Sequence, residues 1–162
     1  MGVLISIITV NYNDAKGLEG TIKSVQNQIY TDYEHIIIDG DSNDGSKAII
    51  EKYKKYFTHW VSEPDSGIYN AMNKGIFAAK GDYLLFLNSG DDLIDASALG
   101  KCKQHLTGED IISFDINIVS EAKRYVKSAP KLITFSYLAK DYLAHPSTFI
   151  KKALFEGIGY YD

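Results

Sequence analysis

Asp91 and Asp92 stand side by side directly after the apolar run Tyr83–Leu87. Two carboxylates at one strand end repel unless a cation sits between them and a ligand. No histidine or thiolate clusters with them, so oxygen-seeking Mg²⁺ or Mn²⁺ fits, the usual bridge to a diphosphate. Taken alone, the pair also reads as solvated residues capping the next helix. A second acidic loop, Asp39-Gly40-Asp41-Ser42-Asn43-Asp44-Gly45, ends another apolar run. Asp39, Asp41 and Asn43 match the first ligand positions of an EF-hand, but Asp44 stands where glycine is required and Ile50 where a bidentate glutamate is. Neither G-x-G-x-x-G nor G-x-x-x-x-G-K-[ST] occurs, which speaks against a dinucleotide dehydrogenase and a P-loop enzyme.

These loops need elements to bring them together. The β-branched run Leu4–Val10 predicts a central strand, followed by a helix with Leu18, Ile22, Val25 and Ile29 on one face. His35–Ile38 predicts a second buried strand. The next helix turns Ile49, Ile50, Tyr53 and Phe57 inward and leaves Lys47, Glu51, Lys54 and Lys55 as a solvated face. A short strand near Trp60-Val61 leads to Glu63-Pro64-Asp65-Ser66-Gly67, then to a helix carried by Ile68, Met72, Ile76 and Phe77, with Ser66 as its cap. Beyond the strand Tyr83–Leu87, a helix is expected near Ser97–His105, a strand over Ile111–Val119 and a hairpin partner near Arg124–Val126. The alternation predicts an α/β fold: a mostly parallel central sheet flanked by helices, with a small antiparallel element in the C-terminal part. In such a sheet the carboxyl ends of the strands line the ligand crevice, so the acidic loops converge.

Bulk properties narrow the class. At 162 residues, 45% hydrophobic, one domain is expected. The 17 basic and 21 acidic side chains, with no basic stripe, argue against nucleic acid as a partner. Cys102 is the only cysteine, which excludes an internal disulfide and suits a reducing compartment. The apolar runs are strand-length, far below the ~18 residues of a membrane span. Met1-Gly2-Val3-Leu4-Ile5-Ser6 formally fits a myristoylation pattern, but the glycine leads into a strand pattern and the match is taken as chance.

Four segments together resemble the GT-A domain of family 2 glycosyltransferases, of the type seen in bacterial cell-surface polysaccharide assembly. They are Ser6-Ile7-Ile8-Thr9-Val10-Asn11-Tyr12-Asn13, the stretch from Ser24-Val25-Gln26-Asn27-Gln28 through Ile38-Asp39 to Gly45, Asp65-Ser66-Gly67 through Asn73-Lys74-Gly75, and Gly81-Asp82-Tyr83 through Asp92. The resemblance implies a Rossmann-like GT-A fold forming one nucleotide-sugar-binding domain over 1–162, with residues 1–95 as the donor part and 96–162 as the start of an incomplete acceptor part. It implies a donor site of Thr9, Asn11, Tyr12, Asp39, Asp65, Asn73, Lys74 and Asp91. Within it, Tyr12 stacks on a base and Asp39 accepts a base N–H, as on uracil. Asp91 and Asp92 correspond to the DXD motif, with Asp92 the surer ligand of Mn²⁺ or Mg²⁺. The sequence departs from the pattern in reading Asn88-Ser89-Gly90 ahead of the pair.

The resemblance further implies inverting transfer of a sugar, UDP-linked in the first instance, to a hydroxyl of a saccharide or lipid-linked saccharide acceptor. The general base is expected beyond Asp162, with Asp162 and His145 as weaker candidates within the chain. His145 reads either as a metal or phosphate contact or as a loop anchor. The expected place of action is the cytoplasm, at the inner face of the cell membrane where parts absent from this chain attach it. Two other readings stay open. One is a donor-binding module that transfers nothing; the other is a sugar nucleotidyltransferase, although Asn11-Tyr12-Asn13-Asp14 lacks the glycine-rich, arginine-bearing loop that class needs.

Overall fold

A computed structural model describes residues 4–120 and 122–162, so the start of the lipidation pattern lies outside the described residues. The strands are β1 (Ile5–Asn11), β2 (Tyr33–Asp39), β3 (His59–Ser62), β4 (Tyr83–Phe86), β5 (Ile111–Ser113), β6 (Ile116–Val119), β7 (Arg124–Lys127) and β8 (Thr148–Lys151). The helices are α1 (Ala15–Gln26), α2 (Ser46–Tyr53), α3 (Ile68–Ala78), α4 (Ala98–Lys103), α5 (Phe135–Leu138) and α6 (Lys152–Ile158). The main sheet has the order β3-β2-β1-β4-β8-β5, with β1 to β4 parallel and β8 antiparallel to both its neighbours. Separately, β6 and β7 form a two-stranded antiparallel sheet, the small C-terminal element expected from the sequence.

β1 is buried along its whole length, as a β-branched strand with helices on both faces must be. Its even-numbered apolar residues, Ile8 and Val10, pack with Ile36, Ile38, Leu84 and Phe86 against Ala71, Met72 and Ile76 of α3 and Phe155 of α6. The odd-numbered set faces the other way: Ile5 and Ile7 with Val25 of α1 and Leu99 of α4, and Ile37 with Leu18, Ile22 and Ile50. Because α1 and α3 cover opposite faces, the chain changes side between β1 and β4, and a crevice opens at the carboxyl ends of those two strands.

Four local expectations are corrected. Ile29 lies past the end of α1 and is 75% exposed. On α3 the buried face is Ala71, Met72, Gly75 and Ile76; Ile68 and Phe77 point outward, and Phe77 rests instead on Tyr160. Ser66 does not cap α3, because Gly67 occupies the cap position at φ 120° and no side chain bonds there. Ile111–Val119 is two strands in two sheets: Phe114 lies between them and packs against Phe149. Among the described residues no helix is long and apolar enough to cross a membrane.

Candidate functional site

Asn11 and Asp39 end β1 and β2 as direct neighbours in register. Both are buried, and the Asn11 amide Nδ2 donates to Asp39 Oδ1 at 2.6 Å and to Ser42 Oγ at 3.1 Å. Its carbonyl Oδ1 accepts from Ser89 Oγ at 2.7 Å, which carries the network across the crevice to the loop after β4. Asp39 also accepts from Ser42 N and Oγ (3.0 and 2.5 Å) and from Ser62 Oγ (2.6 Å) at the end of β3. Burial alone pushes this carboxyl up, but the donated bonds from Ser42, Ser62 and Asn11 outweigh it and hold it below the usual carboxylate range. One amide and one carboxylate thus pin the ends of four strands.

Above this network lies a cleft of about 750 Å³, lined among others by Asn11, Tyr12, Gly40, Asp65, Asn88 and Ser89. Tyr12 is 69% exposed at its edge, so a large aromatic face is presented where a ring could stack. Gly40 sits between Tyr12 and Asp65: a Cβ there would come within 2.7 Å of Asp65 Oδ2 and 3.2 Å of Tyr12 Cδ2. The absence of that side chain lets the tyrosine and the carboxylate approach from opposite sides. The Asp65 loop is held by Lys74, which donates to the Pro64 carbonyl at 3.2 Å and pairs with Glu63 at 2.8 Å, and by the Gly67 amide donating to Asp65 Oδ1 at 2.9 Å.

Asp91 and Asp92 lie on the far side of the Asn88–Gly90 turn. They line a second cavity of about 1170 Å³ between α1, α4 and the β6–β7 hairpin, with Leu85, Phe114 and Phe149 among its apolar walls. Burial pushes the Asp91 carboxyl up to about 6; the Asn88 N–H opposes this and the Asp92 charge adds to it. A divalent ion would relieve that penalty, and an all-oxygen pair suits a hard cation. Among the described residues no three His, Cys, Asp or Glu side chains gather in one place, so an ion here would take its remaining ligands from water or from a bound molecule.

Several expected site residues have other work in this structure. Thr9, at an odd position of β1, points toward α1 and α2 and bonds the buried His35 Nε2 at 2.9 Å, away from the cleft. Asp39 underlies the cleft with all four of its lone-pair directions taken. Asn73 bonds both ways to the Tyr161 backbone, donating at 2.7 Å and accepting at 3.1 Å, and so anchors the C-terminal segment. Lys74 braces the Asp65 loop rather than lining the cleft. His145 packs edge-on to Phe86 and lies 3.4 Å from the Tyr161 hydroxyl, and burial lowers its pKa. Asp162 is exposed and lines neither cavity. The residues that sequence reading missed are Ser42, Ser62 and Ser89. Serine is too common in turns to stand out, and only the fold shows that these three serve the same two side chains.

Comparison with known proteins agrees with this architecture. The family described as "Glycosyl transferase family 2" matches residues 6–156. An uncharacterized glycosyltransferase of Mycobacterium tuberculosis (strain H37Rv) is 35% identical over 98% of this chain, which spans 62% of that relative's length. A PGL/p-HBAD biosynthesis glycosyltransferase of the same strain is 29% identical over 98% of the chain and 63% of its own length. In fold, the chain is similar to Staphylococcus aureus TarS 1-349 in complex with UDP-GlcNAc, at TM-score 0.76 and 19% identity, covering 97% of this chain and 47% of that one. It is also similar to the mannosyltransferase PcManGT from Pyrobaculum calidifontis in complex with GDP-Man and Mn²⁺, at TM-score 0.77 and 15% identity, covering 100% and 48%. The sheet order, the small antiparallel element and the family match over most of the chain agree: this chain belongs to glycosyl transferase family 2, with a GT-A fold.

Proposed function

We propose that this chain carries the donor-binding region of a metal-dependent glycosyltransferase that moves a sugar from a nucleoside diphosphate sugar to an acceptor hydroxyl. The observation that carries the reading is the cleft at the carboxyl ends of β1, β2 and β4, with the exposed Tyr12 ring, the Asp65 carboxylate and the open backbone at Gly40 at one end. At that end a base stacks on Tyr12 and Asp65 offers an acceptor to an N–H or hydroxyl of the nucleoside. Asp39 then acts from below, by holding Asn11, Ser42 and Ser62 in place.

Asp91 and Asp92 are the side chains that would hold Mn²⁺ or Mg²⁺. When bound, the ion neutralises charge on the departing diphosphate. The solved neighbours bound to UDP-GlcNAc, or to GDP-Man with Mn²⁺, support a nucleotide donor, and UDP is the first to test. A saccharide or lipid-linked acceptor, inversion at the anomeric carbon, and work at the cytoplasmic membrane face in cell-surface glycoconjugate assembly complete the reading. The PGL/p-HBAD biosynthesis relative supports the assembly part of this reading.

Calorimetry with UDP, in Mn²⁺ and then in excess chelator, tests both halves of the reading. Binding is expected to be markedly tighter with metal. Equal affinity in both conditions removes the metal bridge, and no binding in either removes the nucleotide.

A further inference from the structure

The mechanism above leaves one fully buried polar side chain of α1 unused. Thr21 is 0% exposed, and its hydroxyl lies 2.8 Å from the Asp91 carbonyl, 3.2 Å from the Asn88 carbonyl and 3.1 Å from that of Gly17. It also accepts the Gly90 N–H at 3.1 Å. A hydroxyl has one proton to give, and the Asp91 carbonyl is the nearest taker. Thr21 therefore contacts the main chain of three residues in the turn that ends at the carboxylate pair.

The rest of that helix face is shaped for the same approach. Gly17, Gly20, Thr21 and Ser24 follow each other at helical spacing on one side of α1. A Cβ on Gly17 would clash with the Asp14 carboxylate and would lie 2.8 Å from the Gly90 nitrogen, which backbone cannot tolerate; one on Gly20 would meet Asp92 Oδ1 at 3.6 Å, an ordinary van der Waals contact. Ser24 Oγ accepts the Leu93 N–H at 3.3 Å, one residue past the pair. Two glycines inside a helix each cost about 1 kcal/mol relative to alanine, so their place needs a reason outside the helix. At Gly17 the close approach of Gly90 supplies one.

We propose that Thr21 is a positioning residue for the metal: its hydroxyl sets the turn Asn88–Asp91 against α1 and so fixes where the Asp91 and Asp92 carboxylates stand. The inference rests on the metal reading above. α1 also begins at the other cleft, where Asp14 caps it by accepting the Gly17 N–H at 2.9 Å, so one rigid helix relates the base end to the carboxylate end.

The test compares Thr21→Val, which keeps the shape and removes the hydroxyl, with Thr21→Ser, which keeps the hydroxyl. Amide hydrogen exchange is followed by NMR in the unliganded protein, and UDP and uridine affinities are measured with and without Mn²⁺. In Thr21→Val, exchange at Gly90 is expected to quicken at least tenfold and the Mn²⁺-dependent gain in UDP affinity to fall about tenfold. Uridine affinity is expected to stay unchanged, and Thr21→Ser to restore both losses. Unchanged Gly90 exchange, or equal weakening of uridine and UDP, overturns the proposal. A wild-type protein without any metal-dependent gain removes the functional reading instead, and the Gly90 exchange then decides the anchoring by itself. Should Thr21→Val fail to fold, Thr21→Ala makes the same deletion without an added methyl group.

Discussion

Asn11 and Asp39 share a 2.6 Å hydrogen bond between two buried side chains at the ends of adjacent parallel strands. Every other contact of the pair leads to a different loop: to Ser42 after β2, to Ser62 at the end of β3 and to Ser89 after β4. Removing the amide takes one donor from the buried Asp39 carboxylate and leaves the Ser89 hydroxyl to the Val10 carbonyl at 3.2 Å. Asn11→Ala is expected to lower stability by about 1–3 kcal/mol in urea unfolding. Asn11→Asp sets two buried carboxylates face to face and is expected to cost more, with the difference shrinking in acid as one of them protonates.

Gly40→Ala tests the cleft more directly. The added methyl meets Asp65 Oδ2 and the Tyr12 ring, both of which can swing away, so the fold survives while the gap between them widens. UDP affinity is expected to fall about tenfold, ~1.4 kcal/mol, with little change in melting temperature. Unchanged affinity would place the base elsewhere.

Asp92→Ala separates charge from shape. Asp92 is exposed and adds little to packing, so circular dichroism and the melting temperature are expected to stay as they are. The difference between UDP affinity in Mn²⁺ and in chelator is expected to vanish. If it persists, Asp91 holds the ion alone.

Asn73 gives the opposite pattern. Its amide holds the Tyr161 backbone, and the Tyr161 ring stacks on Tyr69 and packs against Phe86 and Phe155. Asn73→Ala is expected to reduce stability by about 1–2 kcal/mol while leaving UDP affinity unaltered. A loss of UDP affinity without a loss of stability would return Asn73 to the donor site.

His35 contributes to the loss of stability in acid. It is fully buried, and burial lowers its pKa from the ordinary 6.5 to about 3. The unfolded chain takes up the proton first as pH falls. The stability held by neutral His35 is therefore complete above about pH 6.5 and declines as pH falls toward about 3, by an amount on the order of a few kcal/mol. Urea midpoints between pH 7 and 4 are expected to show this slope, and His35→Gln to make it shallower.

The apolar runs and their spacing determined the parallel strands, the helices that cover them and the carboxyl edge where the acidic loops meet, because an element must present an apolar face before it can be buried. The same spacing could not reveal that Ile111–Val119 is two strands with Phe114 between them, or that Ile29 and Phe77 stay outside, since each depends on what lies opposite it in space. At the site, residue type pointed to Tyr12, Asp65, Asp91 and Asp92, and the fold puts all four on cavity walls. It could not assign partners. Thr9 went to His35, Asn73 to Tyr161, Lys74 to Glu63, and Asp39 to four donors on three residues, because a polar side chain bonds whatever donor or acceptor the packed chain brings within about 3 Å. Nor could spacing show that the 88–91 turn comes so close to α1 that a side chain at Gly17 would strike the Gly90 backbone.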